Sequence, residues 1–366
     1  METVKEALYY EKLADERVLC TLCPHECKIR EGRRGVCGVR FNQGGVLYSL
    51  VYDKVVSRHL DPIEKKPLFH FQPGSTSYSI ATVGCNMRCT FCQNWQISQQ
   101  PKGKLRHTTA PLPDDPEPIC PPLEEAAQRI VGEHITPQQI VDAALWSGAS
   151  SIAYTYTEPT SFYELAYDTA VLARARGLKN VFVTNGFINE APLRQIATVL
   201  DGVNVDLKFF KDENYRRISG ARLQPILEAI RLYRQLGVWV EVTTLLIPGL
   251  NDSEDELQRM AAFVYSVGAE VPWHVTQFYP AYKMLDRPPT PLPTLRRARQ
   301  IGLAAGLRYV YEGNVPGEGG ENTYCYACKA LLIQRYGFYL RNNRIRRSQC
   351  PDCGASIDGV AMDGVG

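Results

Sequence analysis

Apolar residues along this chain occur in two alternating patterns: short continuous runs, and longer stretches in which they recur at helical spacing. The short runs predict buried β-strands, and the longer stretches predict amphipathic helices. Two predicted helices begin with capping boxes, at Thr136 and at Ser253. The predicted strands are Tyr78–Val83, Ser151–Tyr156, Asn180–Thr184, Val203–Leu207, Val238–Leu246 and Trp273–Phe278.

Alternating strands and helices favour parallel strands joined by right-handed crossovers. The six strands therefore predict an α/β fold, a partial (β/α)6 TIM-like barrel over residues 76–315. In such barrels the active site lies at the C-terminal ends of the strands. A four-cysteine segment over residues 1–75 and a cysteine-containing module over residues 316–366 flank the predicted barrel.

The flanking and inserted segments carry weaker patterns. Residues 1–19 predict a short amphipathic helix, residues 46–52 a strand and residues 61–70 a loop. An insertion over residues 100–135 contains seven prolines between Pro101 and Pro122. Such a segment is neither a regular helix nor a central strand, so we expect an extended loop that serves as a lid, a docking loop or a spacer.

Composition and charge exclude several classes of protein. The chain has 366 residues, 45% hydrophobic and 22% charged, which is typical of a globular protein. Its net charge of +2 gives no strong field toward nucleic acid or membrane. No uninterrupted apolar run has the length of a transmembrane helix, and the first residues lack a secretory signal. We therefore expect a cytoplasmic protein without a membrane partner.

The cysteines are grouped along the chain. Eleven of the twelve fall into three clusters, and only Cys120 stands alone, within the insertion. In a reducing cytosol such clusters indicate metal ligands rather than disulfides. The clusters are Cys20, Cys23, Cys27 and Cys37; Cys85, Cys89 and Cys92; and Cys325, Cys328, Cys350 and Cys353.

The central cluster has the spacing C-x3-C-x2-C and directly follows the predicted strand Tyr78–Val83. A four-iron cluster normally takes four thiolates, so three leave one iron with an open position. An open metal position is where a ligand or substrate binds.

The two outer clusters have four cysteines each. The N-terminal spacing, C-x2-C-x3-C-x9-C, predicts a closed site for zinc or for an auxiliary iron–sulfur cluster, with a metal-free segment as a third possibility. His25 lies inside this motif and is expected beside the site rather than as a ligand. The C-terminal spacing, with a predicted hairpin within residues 333–340, indicates a zinc-ribbon-like module.

Polar residues follow or lie on the predicted strands. Because the C-terminal ends of parallel strands meet at one edge, we expect these residues around the central cysteines. Strand alternation places Asp206 and Lys208 on one face. Lys65, Lys66 and His70 either line the mouth of the site or belong to a solvated loop. The strand-end candidates are Glu158, Thr184, Asn185, Asp206, Lys208 and His274.

The segment Cys85–Cys92, with Phe91 before its last cysteine, resembles the signature of the radical SAM superfamily. Residues 23–27, 35–40 and 61–71 are similar to those of the AmmeMemoRadiSam-system radical SAM proteins, relatives of the pyruvate formate-lyase activating enzyme. The resemblance implies a [4Fe–4S] cluster on the three cysteines, with S-adenosylmethionine on the fourth iron. It also implies reductive cleavage to a 5′-deoxyadenosyl radical, which abstracts hydrogen from a substrate.

The resemblance also implies which residues approach S-adenosylmethionine. Glu158 would hold the methionine amine, although the glycines that precede it in relatives are replaced by Tyr156 and Thr157. Relatives that bind a monovalent cation carry an aspartate where this chain has Val183, so that property is not carried over. The alternatives are a structural salt bridge for Asp206 and Lys208 and a core position for His274. The implied contacts are Phe91, Glu158, Thr184, Asn185, Asp206, Lys208 and His274.

The sequence thus supports two hypotheses of function. The first is a radical SAM oxidoreductase that receives electrons from a donor such as flavodoxin or ferredoxin. The substrate that we favour first is a glycine of a partner protein, as in glycyl-radical activases. Another protein target or a small molecule is nearly as well supported. The alternative is a non-catalytic, metal-stabilised RNA- or protein-binding protein, which would have no use for so many polar residues at the strand ends.

Overall fold

The computed structural model describes residues 4–102 and 122–363. Most strands of the first third are short. The first eight strands are β1 (Lys5–Glu6), β2 (Tyr10–Lys12), β3 (Val18–Cys20), β4 (Lys28–Ile29), β5 (Arg40–Gln43), β6 (Val46–Ser49), β7 (Lys54–Val55) and β8 (Ser57–Pro62). The strands that follow are β9 (Thr76–Ala81), β10 (Glu133–His134), β11 (Ser151–Tyr154), β12 (Lys179–Thr184), β13 (Gly202–Asp206), β14 (Trp239–Leu246), β15 (Trp273–Gln277) and β16 (Val310–Gly313).

The core is an eight-stranded sheet in the order β16-β15-β14-β13-β12-β11-β9-β8. All neighbours are parallel except β8, which pairs antiparallel with β9 at one edge. This arrangement confirms the predicted α/β fold with its parallel strands. It adds one parallel strand, β16, and one antiparallel strand, β8, to the six that were predicted.

Helices connect the parallel strands. The capping box at Thr136 is formed, since its hydroxyl accepts from the Gln139 N–H, and Ser253 accepts from the Glu256 N–H. The apolar faces of the connecting helices pack on the sheet and form the main core together with its strands. The helices are α1 (Trp95–Ser98), α2 (Leu123–Gln128), α3 (Pro137–Trp146), α4 (Tyr163–Ala175), α5 (Glu190–Ala197), α6 (Asp212–Asn214), α7 (Leu223–Gln235), α8 (Glu254–Val267) and α9 (Leu292–Ala304).

The helix predicted over residues 1–19 is wrong, because the described part of this segment contains the strands β1, β2 and β3. Tyr9, Asp15 and Glu16 have positive φ angles of 57°, 57° and 53°, which interrupt any helix. Strand β1 pairs with β6, and β2 forms a hairpin with β3. Long-range pairing therefore overrides the helical spacing of the apolar residues.

The segment predicted as a loop over residues 61–70 begins at the end of β8 and continues into a short 3₁₀ helix, Ile63–Lys65. Lys66 and His70 are only 1% and 0% exposed, so most of this segment is not a solvated loop.

The proline-rich insertion lies largely outside the described residues, and so does Cys120. Its described end forms α2 and then β10, which pairs with β7 of the N-terminal segment.

The C-terminal residues form a three-stranded sheet with a small core of its own. Its strands are β17 (Thr323–Tyr324), β18 (Leu331–Tyr336) and β19 (Tyr339–Asn343), and β18 and β19 form the predicted hairpin. None of the helices within the described residues has the length and apolar character that a membrane span needs.

Candidate functional site

The three central cysteines lie in the loop that follows β9, at the C-terminal edge of the parallel sheet. The Arg88 N–H donates to the Ser219 carbonyl at 2.9 Å, and the Thr90 N–H donates to the Ile218 carbonyl at 3.1 Å. These bonds hold the loop against the short π-helix Tyr215–Ser219 that follows α6. The cysteines thus sit on a fixed support rather than on a free loop.

A cavity of about 580 Å³ opens beside this loop. Every strand-end residue proposed from the sequence, except His274, lines this cavity. The residues from the sequence prediction that line it are Cys85, Cys89, Phe91, Cys92, Glu158, Thr184, Asn185, Asp206 and Lys208. Further lining residues include Lys65, Lys66, Ser98, Tyr156, Thr243, Thr276 and Asn314.

The three sulfurs have polar neighbours. The Cys85 sulfur accepts from the Met87 N–H at 3.3 Å and from the Asn185 side-chain amide at 3.8 Å. The Cys92 sulfur lies 3.3 Å from the Ser98 hydroxyl. Burial raises the pKa of the Cys89 thiol, and the nearby Lys208 ammonium opposes that shift. Hydrogen bonds and a cation of this kind stabilise thiolates, the form that binds iron.

Glu158 joins the ends of two neighbouring strands. One of its carboxylate oxygens accepts from the Thr160 N–H at 3.0 Å and from the Thr184 hydroxyl at 2.7 Å. The other accepts from the Asn185 N–H at 2.8 Å. Burial raises the pKa of Glu158, and these donors counteract the shift. The carboxylate is thus held in a fixed orientation at the wall of the cavity.

Asp206 and Lys208 form an ion pair of 2.7 Å, so the two side chains share one face, as strand alternation predicted. Burial alone would lower the pKa of Lys208, but the Asp206 carboxylate raises it above its usual value. The ammonium also lies 5.9 Å from the centre of the Phe91 ring. Lys208 therefore remains a cation beside the cysteine loop.

Two further lysines reach the cavity from the segment after β8. Asp61 accepts from Lys65 at 2.8 Å, from Lys66 at 2.7 Å and from the Tyr156 hydroxyl. Burial lowers the pKa of Lys66 to about 8, with Asp61 acting in the opposite direction. Tyr156 has φ +62°, an uncommon conformation for a tyrosine.

His274 is not brought to the cavity. It lies near the start of β15, where its Nε2 is 2.6 Å from the Glu241 carboxylate, and it is 2% exposed. Phe69 and Tyr311 pack against its ring at centroid distances of 4.8 Å and 5.2 Å. The arrangement is that of a hydrogen-bonded core histidine, so it gives no support to contact with S-adenosylmethionine.

Sequence reasoning missed Thr243, which lies on β14 and lines the cavity. Its hydroxyl is buried and has no hydrogen-bond partner among the described residues. A buried hydroxyl without a partner is costly unless a ligand satisfies it. Strand alternation could have found this residue, because Thr243 and Leu245 share the face that meets the cavity.

The eleven described cysteines differ in spacing. The four C-terminal sulfurs all lie within 4.8 Å of one another, and the pairs Cys325–Cys353 and Cys328–Cys350 are 3.7 Å apart. Neither of the other two clusters forms such a compact group within the described residues. Three sulfurs with wider spacing beside an open cavity fit a [4Fe–4S] cluster, which separates its thiolates more than a single ion does.

Comparison with known proteins identifies the class. Residues 79–263, about half of the chain, match the family described as the Radical SAM superfamily. The chain belongs to this superfamily of enzymes, which implies a [4Fe–4S] cluster and S-adenosylmethionine as its cofactors.

Individual relatives differ in how much of the chain they match. An uncharacterized protein of Methanocaldococcus jannaschii is 46% identical over 358 residues, 97% of this chain and 99% of that protein. The pyruvate formate-lyase 1-activating enzyme of Escherichia coli is 22% identical over 50% of this chain and 67% of that enzyme. The isethionate sulfite-lyase activating enzyme of Nitratidesulfovibrio vulgaris is 28% identical over 43% of this chain and 54% of that enzyme.

Proposed function

We propose that the protein cleaves S-adenosylmethionine reductively and abstracts a hydrogen atom from a substrate held in the cavity of about 580 Å³. The observation that carries the proposal is that Cys85, Cys89 and Cys92 line one cavity together with the cation–carboxylate pair Asp206–Lys208. A [4Fe–4S] cluster on the three thiolates would supply the electron that splits the carbon–sulfur bond of the sulfonium.

The protein's own residues would bind and orient S-adenosylmethionine. Its carboxylate carries a negative charge that Lys208 can meet with a charge-assisted hydrogen bond. Its ammonium group carries a positive charge that the fixed Glu158 carboxylate can attract. The unpartnered Thr243 hydroxyl supplies one further hydrogen bond.

The proposal is tested by anaerobic reconstitution with iron and sulfide, reduction with dithionite and measurement of 5′-deoxyadenosine. The intact protein is expected to form it, and Cys89→Ala is expected to form none because the cluster loses a ligand. Cys120→Ala is the matched control, since it makes the same chemical change outside the three cysteine clusters. An intact protein that takes up no iron at Cys85, Cys89 and Cys92 would refute the proposal.

For the substrate we propose a glycine of a partner protein. Two relatives are named as activating enzymes of lyases. Beside the cavity, Trp95 stacks on Tyr282 at a centroid distance of 5.2 Å and is 41% exposed. Exposed aromatic residues of this kind are enriched at protein interfaces.

Deuterium transfer tests the substrate class. Extract from the source cells grown in heavy water is separated into protein and small-molecule fractions, and deuterium is then measured in the 5′-deoxyadenosine. We expect transfer from the protein fraction, reduced by Trp95→Ala but not by Trp146→Ala, whose side chain is 91% exposed on α3. Transfer from the small-molecule fraction alone would contradict the proposal.

We also propose that Cys325, Cys328, Cys350 and Cys353 bind zinc. A tetrahedral zinc with bonds of about 2.3 Å separates its sulfurs by about 3.8 Å. The two sulfur pairs at 3.7 Å are close to that value. Elemental analysis of the isolated protein, with Cys350→Ser as the variant, tests the assignment, and iron in place of zinc would overturn it.

A further inference from the structure

We propose that Cys20, Cys23, Cys27 and Cys37 hold a second iron–sulfur cluster, not zinc, and that this cluster passes electrons to the one at Cys85, Cys89 and Cys92. The assignment of an iron–sulfur cluster to these cysteines does not depend on the proposed function. Its role as a relay rests on the proposed function.

Cysteine spacing gives the first argument, because the molecule carries its own reference sites. The C-terminal cysteines are drawn together as a single tetrahedral ion requires, whereas the catalytic cysteines are not. No three of the four N-terminal sulfurs, which are all described, lie within 4.8 Å of one another. They are nevertheless neighbours: the Cys20 N–H donates to the Cys27 carbonyl at 3.0 Å, and a Cβ on Gly35, two residues before Cys37, would lie 3.6 Å from the Cys27 sulfur.

Packing gives the second argument. Cys20 and Cys23 belong to the main core together with residues of the barrel. The C-terminal cysteines Cys325 and Cys350 instead belong to a separate core of a few residues, which needs a metal to be stable. The N-terminal segment is already held by apolar burial, so a metal there is free to serve a role other than structural support.

The third argument is the position of the N-terminal cysteines beside the loop that carries Cys85, Cys89 and Cys92, here called the catalytic loop. Gly84 directly precedes Cys85 and has φ +99°. A Cβ at this position would lie 3.1 Å from the Cys37 carbonyl oxygen and 2.6 Å from the Val39 side chain. The backbone of Cys37 therefore packs so closely against Gly84, at the start of the catalytic loop, that no side chain fits between them.

A short hydrogen-bonded route links the same two regions. His25, between Cys23 and Cys27, donates from Nε2 to the Asn86 carbonyl at 2.7 Å. The Asn86 side chain accepts from the Asn185 amide at 2.9 Å, and that amide also lies 3.8 Å from the Cys85 sulfur. Zinc has no redox chemistry, so only a redox-active centre at the N-terminal cysteines could exchange electrons over this short distance.

The surroundings also suit a centre that accepts an electron. Arg40 is 1% exposed, and its guanidinium lies 3.6 Å from the Cys20 sulfur. It also pairs with Glu164, which keeps it in place. Because Glu164 balances the charge of Arg40, the guanidinium acts on the Cys20 sulfur mainly as a hydrogen-bond donor, and hydrogen bonds to the ligand sulfurs help to set the potential of a cluster.

The proposed step moves one electron and breaks no bond. A reduced one-electron donor, such as a flavoprotein, is oxidised as the N-terminal cluster is reduced. The N-terminal cluster then returns to its oxidised state as the catalytic cluster is reduced. No proton or leaving group is required.

The test uses the full chain with Cys85, Cys89 and Cys92 all changed to alanine. After anaerobic reconstitution we expect this variant to retain about four iron and about four sulfide per chain. After reduction it should show the low-temperature electron paramagnetic resonance signal of a reduced cluster. A variant without iron, or with a second zinc in its place, would overturn the proposal.

A reciprocal variant guards against loss of the fold. Cys20→Ser with Cys37→Ser should lose about four iron while keeping the signal of the catalytic cluster. The ratio of flavoprotein-driven to dithionite-driven 5′-deoxyadenosine formation should fall in this variant, which tests the relay. The two proposals can fail separately. If the triple variant retains iron but the intact protein does not cleave S-adenosylmethionine, the second cluster is supported and the proposed function is refuted.

Discussion

The two four-cysteine regions contain the same ligands but hold them in different surroundings. At the C-terminus, pairs of sulfurs lie 3.7 Å apart, and Cys328 and Cys353 are exposed. At the N-terminus, Cys20 and Cys23 are buried in the main core, and the segment packs against the catalytic loop. The comparison teaches that a four-cysteine motif identifies a metal site, whereas its spacing and neighbours distinguish structural support from redox chemistry.

Loss of the C-terminal site should have the largest effect on stability. Structural zinc in small modules contributes about 10–16 kcal/mol to folding. Cys350→Ser should therefore lose zinc and expose residues 316–363 to proteolysis, while the iron content stays constant. Limited proteolysis with mass spectrometry measures this effect, with Asn342→Ala on the exposed face of β19 as control. Equal resistance of both variants would show that metal does not hold the module.

The contact between the N-terminal segment and the catalytic loop is tested by Gly84→Ala. The new methyl group would overlap Val39 and Cys37 at a φ of +99°. The backbone conformation costs about 1–2 kcal/mol and the overlap about 1–3 kcal/mol more. Gly148→Ala is matched to it, because Gly148 has φ +71° and nothing within 4 Å of the added methyl.

Thermal unfolding measures this difference, and Gly84→Ala should have the lower melting temperature of the two. It should also lose iron more readily, since it separates the N-terminal segment from the loop. Equal melting temperatures would mean that the contact is not tightly packed.

We expect the stability of the protein to depend on pH through His70, which contacts the C-terminal module. His70 donates from Nδ1 to the Asp358 carbonyl at 2.6 Å and accepts from the Tyr311 hydroxyl at 2.6 Å. Burial lowers the pKa of His70 from 6.5 to about 4, partly offset by Glu241. The folded state therefore binds fewer protons than the unfolded state in this window, and its stability falls as the pH falls from 6.5 to about 4.

The shift corresponds to about 3 kcal/mol. In His70→Gln the fall in melting temperature across this window should be shallower than in the intact protein. His59→Gln, a change at an exposed histidine, should leave the full pH dependence. Equal curves for the three proteins would assign the acid sensitivity to other groups.

The smallest effect is expected for a change that touches neither four-cysteine region. Thr243→Val removes the unpartnered hydroxyl of the cavity with little change of shape. We expect equal or slightly higher stability, unchanged iron and zinc, and about tenfold weaker S-adenosylmethionine binding by calorimetry. Unchanged affinity would show that the hydroxyl does not contact the ligand.

Much of the barrel was predictable because its strands are continuous apolar runs and its helices carry capping residues such as Thr136 and Ser253. The N-terminal strands were not. Their pairing depends on contacts distant in sequence, such as Lys5 with Ser49, and on positive φ angles at Tyr9 and Asp15 that no local pattern indicates.

The candidate site was predictable where residues follow the strands, as at Glu158, Asn185 and Lys208. His274 differs because it lies near the start of β15, and a residue there faces the opposite end of the sheet from the cysteine loop. Its partner Glu241 is equally near the start of β14. Position along the strand, and not only residue type, decides which polar groups meet the cavity.

Anomalous X-ray scattering from crystals of the anaerobically prepared protein, recorded at the iron and zinc absorption edges, would test most directly which metal each cysteine cluster binds. We predict iron at Cys85–Cys92 and at Cys20–Cys37, and zinc only among Cys325, Cys328, Cys350 and Cys353. Zinc at Cys20–Cys37 would contradict the assignment of a redox role to the N-terminal region, and no iron at Cys85–Cys92 would contradict the proposed chemistry.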